Sequence, residues 1–368
     1  MGRRARRRRV RVVVVGAGQS GLSVAFHLQR LGLRPGDEFV VLDGDTAPGG
    51  AWRHRPAHLT LEDAHGIHAL PGLPLPEESK DTPTAVAIPA YFADYEERFD
   101  LPVRRPVRVR AVREAVVDVD PGADREGLLA VVTDREVWTT EALVNATGTW
   151  HKAFWPSYPG RAEFRGRQFH SRDFRAAADL AGDHVVVVGG GTSAVEILLE
   201  LDGVATTTWV TRRPPVFAPA EFPEQERRAA VARVAEAVAA GRPVPSVVSV
   251  TGLRLTPRVQ AGIDAGVLTR LPMFSRLVPD GAAWDPGTAA APAFVRADTV
   301  IWATGYRAML DHLAPLGLRA PGGGIVLAGT EVVADPRLHL LGYGPSASSV
   351  GANRAARDAA RAVLTRLG

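Results

Sequence analysis

Short β-branched runs alternate with helical patterns along the chain, and the same order appears twice. Val12–Val15 is a run of four valines that ends at Gly16. It opens into a 3.6-residue pattern carried by Leu22, Ala25, Phe26 and Leu28 and closed by Gly32, and "DEFVVLD" then returns as a second buried strand ending at Asp43. From His184 the order repeats as "HVVVVGGG", a helical stretch and the strand Thr206–Thr211. Two βαβ units of this kind predict an α/β fold built on parallel sheets. The loop after Asp43 is dense in Gly, Pro and His and too long for a simple connection, so it is a candidate carrier of function. A helix is predicted from about Pro89 to Phe99. Strands are predicted around 107–112, 114–119, 128–133 and 141–145, forming a small antiparallel layer that ends in "NATG". Beyond the second unit, the pattern predicts a polar, alanine-rich helix over 224–240 and another over 257–265. A strand leads into "IWATG", and a terminal helix covers 349–367.

Composition narrows the class. At 368 residues the chain is long enough for two cores. With 46% hydrophobic and 23% charged residues and no long apolar run, it reads as a soluble, cytoplasmic globular protein with no membrane segment. The formal charge of +4 owes much to "RRARRRR" between Arg3 and Arg9, which is expected to be a solvated arm rather than a nucleic-acid patch. Cysteine is absent, which excludes disulfides, thiolate metal sites, a cysteine nucleophile and a redox-active cysteine pair. A zinc site built from His54, His58, His65 and His68 lacks both a helical i, i+4 pair and a cysteine, so no metal is expected.

The two glycine turns carry the clearest chemistry. A pyrophosphate needs backbone N–H groups aimed at it, a helix N-terminus behind it and no side chain in the way. Gly16, Gly18 and Gly21, with Gln19 and Ser20 between them, meet that need after a strand and before a helix. Asp43 closes the next strand, where a carboxylate binds ribose hydroxyls. Gly189, Gly191 and Ala194, with Thr192 and Ser193, repeat the geometry as GxGxxA. There the strand-end acid gives way to Arg212 and Arg213, which suit a ribose phosphate and predict NADPH over NADH. FAD in the first turn and NADPH in the second is the economical pairing, because a flavin accepts hydride from a nicotinamide and passes electrons on.

Further motifs stand in a specific order. "GGAW" occupies Gly49–Trp52, one "ATG" covers Ala146, Thr147 and Gly148, and a second covers Ala303, Thr304 and Gly305. Phe164, Gly166, His170 and Phe174 in "FRGRQFHSRDF" match FxGxxxHxxx(Y/F) just ahead of the second glycine turn. With this set the whole chain resembles the flavin-containing monooxygenases, in a small soluble bacterial form. The resemblance implies two Rossmann-like dinucleotide-binding domains, the NADPH domain (159–298) inserted in an FAD domain (1–158 and 299–368). It implies that Gly50, Trp52 and both ATG segments serve the nucleotides. Gly342, Gly344 and Ser349, in a C-terminal loop and helix start, would cover the flavin. It further implies that NADPH reduces FAD and that oxygen adds as a C4a-(hydro)peroxyflavin. That adduct oxygenates a small-molecule nucleophile at nitrogen or sulfur. His170 is then architectural and nucleotide-facing rather than a general base. The family's asparagine after GGxW is missing between Trp52 and Pro89, which leaves Glu62 and Asp63, with His65, as further catalytic candidates. Two alternatives stay open: a flavin reductase without oxygen insertion, and a nucleotide-sensing flavoprotein with a partner docked on the 224–240 helix. Small-molecule substrate and molecular oxygen are the expected partners, and a homodimer is left open.

Overall fold

A computed structural model describes residues 6–62, 64, 67–115, 127–219, 224–244, 252–347 and 349–368. The chain forms two compact units, one from residues 1–151, 232–244 and 308–368 and the other from 152–231 and 245–307. Among the described residues, no helix is long and apolar enough to cross a membrane.

The first unit centres on a seven-stranded sheet in the order Leu327–Ala328, Glu331–Val332, Asp335–Leu340, Ala142–Asn145, Val12–Val15, Phe39–Leu42, Val103–Arg104. Its five-strand core is parallel, with Val13 in register with Val40 on one side and Leu143 on the other. An unbroken valine run makes sense there, because alternate side chains must be apolar on both faces of a covered parallel sheet. Val12 and Val14 join Leu22, Phe26 and Leu28 of the helix Gln19–Arg30 and Ala356, Ala359 and Val363 of the helix Ser349–Leu367. Val13 and Val15 face a second core with Leu129, Trp138 and Leu340.

Several expectations are corrected. Arg6–Arg9 is not a free arm but the edge strand of a four-stranded sheet, paired in parallel with Glu136–Thr140. Its arginines find partners: Arg8 bonds Glu136 at 2.6 Å and lies 5.3 Å from the ring of buried Trp138, while Arg9 approaches Glu141 at 3.9 Å. Arginine stems lie well along apolar surface while their heads stay paired, so four in a row can still form a strand. Ala142–Asn145 belongs to the parallel sheet, and the antiparallel strand at that place is Glu136–Thr140. Val109–Glu114 is observed as a strand, and 116–119 lie outside the described residues. The helix expected from Pro89 spans Thr84–Arg98 with Pro89 inside it. A proline so near a helix start removes only one ladder hydrogen bond, and its ring packs against Gly49, where a Cβ would lie 2.7 Å from Pro89 Cγ.

The second unit has a five-stranded parallel sheet in the order Arg270–Pro272, Thr206–Thr211, His184–Val188, Thr299–Trp302, Arg167–His170. Thr299–Trp302 thus lies in this sheet and not beyond the boundary drawn at 298, because it fills the place between His184–Val188 and Arg167–His170. A three-stranded antiparallel layer, Arg276–Val278, Gly281–Ala283 and Phe294–Arg296, accompanies it. The helix Pro257–Asp264 starts at a Thr256 cap whose hydroxyl accepts from the Val259 N–H. The helix Glu224–Ala239 buries Val234, Ala237 and Val238, the last in the first unit's core, while Ala229, Ala232, Ala235 and Ala239 are exposed.

Candidate nucleotide-binding sites

At the first turn, Gly16 adopts φ +100°, and a Cβ on it would lie 2.6 Å from the Ala146 carbonyl oxygen. Gly21 is more constrained, since its Cβ would fall 1.8 Å from Gly16 O. These two glycines are demanded by the protein itself. Gly18 differs, because a Cβ there would meet nothing within 4 Å. It caps the helix Gln19–Arg30 with no side-chain hydrogen bond and no acid in the first turn, which leaves orphan N–H groups and the positive helix end facing an open space. Gly50 crowds this turn from outside, where a Cβ would be 2.9 Å from Gly18 Cα. Ser20 is half-buried on the first turn. The Gln19 side chain donates to Asn353 Oδ1 at 3.0 Å and the His68 carbonyl at 3.3 Å, and Asn353 donates to Ala69 O at 2.8 Å, so these side chains knit loop and helices together.

Asp43 sits buried at the strand end. Its carboxylate accepts from the Ala17 N–H at 2.7 Å and the Asp45 N–H at 2.8 Å, with Arg105 at 3.7 Å. Arg105 is itself held by Glu96 at 2.5 and 2.6 Å. The acid therefore also stiffens the turn. Beside it, Asp45 contacts His54 at 3.1 Å and His151 at 3.4 Å. Burial pushes the Asp45 carboxyl up, yet bonds from His151 and His54 outweigh it and bring it down to about 2. His54 stacks on Trp150 at 5.9 Å, and the Arg55 guanidinium lies 4.9 Å from Trp150 and 5.7 Å from Trp52.

The second turn repeats the backbone logic. Gly189 has φ +144°, and its Cβ would lie 2.1 Å from the Ala303 carbonyl oxygen. Trp209 Nε1 donates to Gly189 O at 2.7 Å and braces the turn from the next strand. Gly191 caps the helix Thr192–Leu201 with no side-chain bond, no first-turn acid and, like Gly18, open space where a Cβ would be. Ala194 fits where the first turn needs glycine, fully buried, while Thr192 and Ser193 are exposed. Arg212 and Arg213 stand exposed just past Thr206–Thr211.

The two ATG segments brace these turns. Ala146 N donates to Val15 O, and Ala303 N to Val188 O, both at 2.8 Å. Thr147 donates to Met309 O at 2.7 Å, and Gly148 O accepts from Met309 N at 3.0 Å. Thr304 donates to Phe154 O at 2.5 Å. Gly342 passes close to Gly148, with Cβ to Cα 3.8 Å, whereas Gly344 is required by Val238 Cγ2, 2.8 Å from its would-be Cβ. Close approach at Gly344 is thus the protein's own packing rather than room for a ligand. Ser349 opens the terminal helix.

His170 is fully buried with both ring nitrogens engaged. Nδ1 accepts from the Arg172 N–H at 3.2 Å, which makes Nε2 the donor to Gly305 O at 3.0 Å. Burial lowers its pKa, and backbone partners on both ring nitrogens hold it in place. Glu62 lies on an exposed turn 4.0 Å from Lys80, a surface pair remote in character from a buried acid. Asp63 and His65 lie outside the described residues. Sequence reasoning missed Asp45, His151, Trp209, Asn353 and Arg105. A tryptophan on the strand after a glycine turn is the one local signal available for any of them.

Residues 13–239 match the family model described as pyridine nucleotide-disulphide oxidoreductase. A flavin-containing monooxygenase from Stenotrophomonas maltophilia is 35% identical, covering 98% of this chain and 100% of that one with a TM-score of 0.79. The oxidoreductase CzcO of Bacillus velezensis is 30% identical over 207 residues, 56% of each chain, so the chain spans about half the length of the curated relatives it matches. The bacillithiol disulfide reductase Bdr of Bacillus cereus, at 17% identity and a TM-score of 0.70 over 98% of this chain and 100% of that one, shares the fold. The chain belongs to the pyridine nucleotide-disulphide oxidoreductase family and, within it, to the flavin-containing monooxygenases, as its ordered motifs led one to expect. It departs from the disulphide chemistry of the family's description in having no cysteine at all.

Proposed function

We propose that the protein is an FAD- and NADPH-dependent monooxygenase that oxygenates a small-molecule nucleophile at nitrogen or sulfur. The contrast between the two strand ends carries this reading: a buried Asp43 beside one uncapped helix, exposed Arg212 and Arg213 beside the other. An acid suits a free ribose and repels a 2′-phosphate, whereas paired guanidiniums attract one. Residues 1–151, 232–244 and 308–368 form the FAD domain on this reading, and 152–231 with 245–307 the NADPH domain. Bound, the nicotinamide supplies hydride and the flavin accepts it and activates oxygen. The chain's own part is to cradle each pyrophosphate on the N–H groups after Gly18 and Gly191 and to hold the turns rigid through Asp43, Trp209 and the ATG segments. With no cysteine, no disulfide of the chain itself can accept the electrons. Substrate and oxygen are the partners.

Rapid mixing tests the reading. FAD-loaded protein reduced by NADPH and then mixed with oxygen is expected to show an oxygenated-flavin absorbance that persists with NADP+. That absorbance should decay faster when an amine or sulfide is added, with the N- or S-oxide as product. Immediate return to oxidised flavin with stoichiometric hydrogen peroxide would support the reductase instead.

A further inference from the structure

The Asp45, His54 and His151 side chains gather three ligand atoms within 4.8 Å of one another, from three separate segments of the first unit. We propose that they bind a divalent transition-metal cation of the Zn2+ class, with a fourth position open to water. The proposal does not rest on the oxygenation chemistry above.

The donor set selects the ion. Two imidazoles and one carboxylate favour zinc-like cations, while magnesium and calcium prefer all-oxygen shells. One ligand atom from each residue lies within 4.8 Å of the others, and each imidazole approaches one of the two Asp45 oxygens, so a small inward turn of the rings closes the set. With metal–ligand bonds of about 2.0–2.2 Å, neighbouring ligand atoms of a tetrahedral site stand roughly 3.3 Å apart. Asp45 Oδ2 lies 3.1 Å from His54 Nε2, and Oδ1 lies 3.4 Å from His151 Nε2. The two rings meet edge to face at 5.4 Å, so both can turn a nitrogen toward the same carboxylate.

Neighbouring groups fix two of the ligands. His54 lies nearly parallel to Trp150 at 13°, and the Asp45 N–H donates to Asp43 Oδ1 at 2.8 Å. His151 is 46% exposed at its side chain, which supplies both an entry route and the open coordination position. Arg55 and Arg105 are the opposing cations. Arg105 is already held by Glu96 at 2.5 and 2.6 Å, and Arg55 lies against Trp52 and Trp150. The pattern was hidden because His151, its third member, lies almost a hundred residues along the chain from His54.

The full-length, FAD-loaded protein, stripped with chelator, is titrated with Zn2+ by calorimetry and with Co2+ by visible absorption. One equivalent should bind, Co2+ should give the intense visible bands of a four-coordinate site, and Zn2+ should raise the thermal midpoint reversibly on adding EDTA. Asp45→Asn, His54→Ala and His151→Ala should each weaken binding by about tenfold or more, while His68→Ala leaves it unchanged. His151→Ala, at an exposed position, decides the matter should either of the other variants lose its flavin. Absence of saturable binding, or binding that His151→Ala does not alter, overturns the proposal. None of these readouts requires substrate turnover, so they fail or succeed apart from the monooxygenase reading.

Discussion

The two glycine turns are near copies in backbone and opposites at the edges. Gly16 and Gly189 are both required because a Cβ would strike the carbonyl of the alanine that opens an ATG segment, at 2.6 Å from Ala146 O and 2.1 Å from Ala303 O. That constraint comes from a parallel strand crossing beside the turn, and it recurs wherever the crossing recurs. The third position obeys a different one. Gly21 would place a Cβ 1.8 Å from Gly16 O, but Ala194 is accommodated without exposure. The first helix is therefore seated closer to its turn than the second. The acid at one strand end is engaged by two backbone N–H groups, and the arginines at the other face solvent. One turn is braced around a charge, and the other offers charge outward, which fits a resident nucleotide in the first and an exchanging one in the second.

The contrast breaks most sharply at the third position. Gly21→Ala should cost about 3 kcal/mol or more through overpacking against Gly16 O and should abolish flavin retention, whereas Ala194→Gly should leave a folded protein. Thermal midpoints and flavin absorbance per protein check both, and equal tolerance would remove the difference in helix seating.

Acid sensitivity is shared, since burial lowers histidine pKa values in both units, at His170 and His184 in the second and at His312 and His339 in the first. Burial lowers the pKa values of His312 and His339 in the first unit to about 4, so the folded state refuses a proton that the unfolded chain accepts between pH 6.5 and 4. Their stabilising contribution is full above pH 6.5 and is lost as pH falls through that window, at most about 3 kcal/mol for each residue. Melting curves from pH 7 to 4 should show the loss, and His312→Gln or His339→Gln should flatten it.

Arg212→Ala with Arg213→Ala should raise KM for NADPH roughly tenfold to hundredfold, the equivalent of about 1–3 kcal/mol, and leave NADH unaffected. Equal losses with both coenzymes would cancel the assignment of the second turn. The smallest effect on stability is expected at the open glycines. Gly18→Ala and Gly191→Ala should cost no more than about 1 kcal/mol as changes of cap, yet the first should lower flavin occupancy and the second NADPH affinity. Unaltered nucleotide binding in both would mean that the open faces of the turns serve something else.

Much of this could be read before any coordinates, for physical reasons that also explain the gaps. Val12–Val15, Phe39–Leu42 and His184–Val188 were legible because a strand covered on both faces must be almost wholly apolar, Thr206–Thr211 because its residues are nearly all β-branched, and a glycine turn marks where two of the four end. Pro89 misled because proline favours a helix start, and only its fit against Gly49 shows why Thr84–Arg98 carries it inside. Arg6–Arg9 looked like a charged arm because its partners, Glu136 and Trp138, lie far along the chain. The same distance hid His151, whose meeting with Asp45 and His54 depends on tertiary structure. His170 was legible as a positioning residue, but the Gly305 carbonyl that occupies its Nε2 was not.

The placement of Asp335–Leu340 has a consequence for how the molecule is born. That strand pairs with Ala142–Asn145 inside the first unit's sheet, and the helix that completes its core follows at Ser349–Leu367. A chain leaving the ribosome therefore carries an unfinished sheet edge at Ala142–Asn145 while the segments of the second unit, 152–231 and 245–307, are made. The strand and helix that complete the first unit are made only after the segments of the second unit.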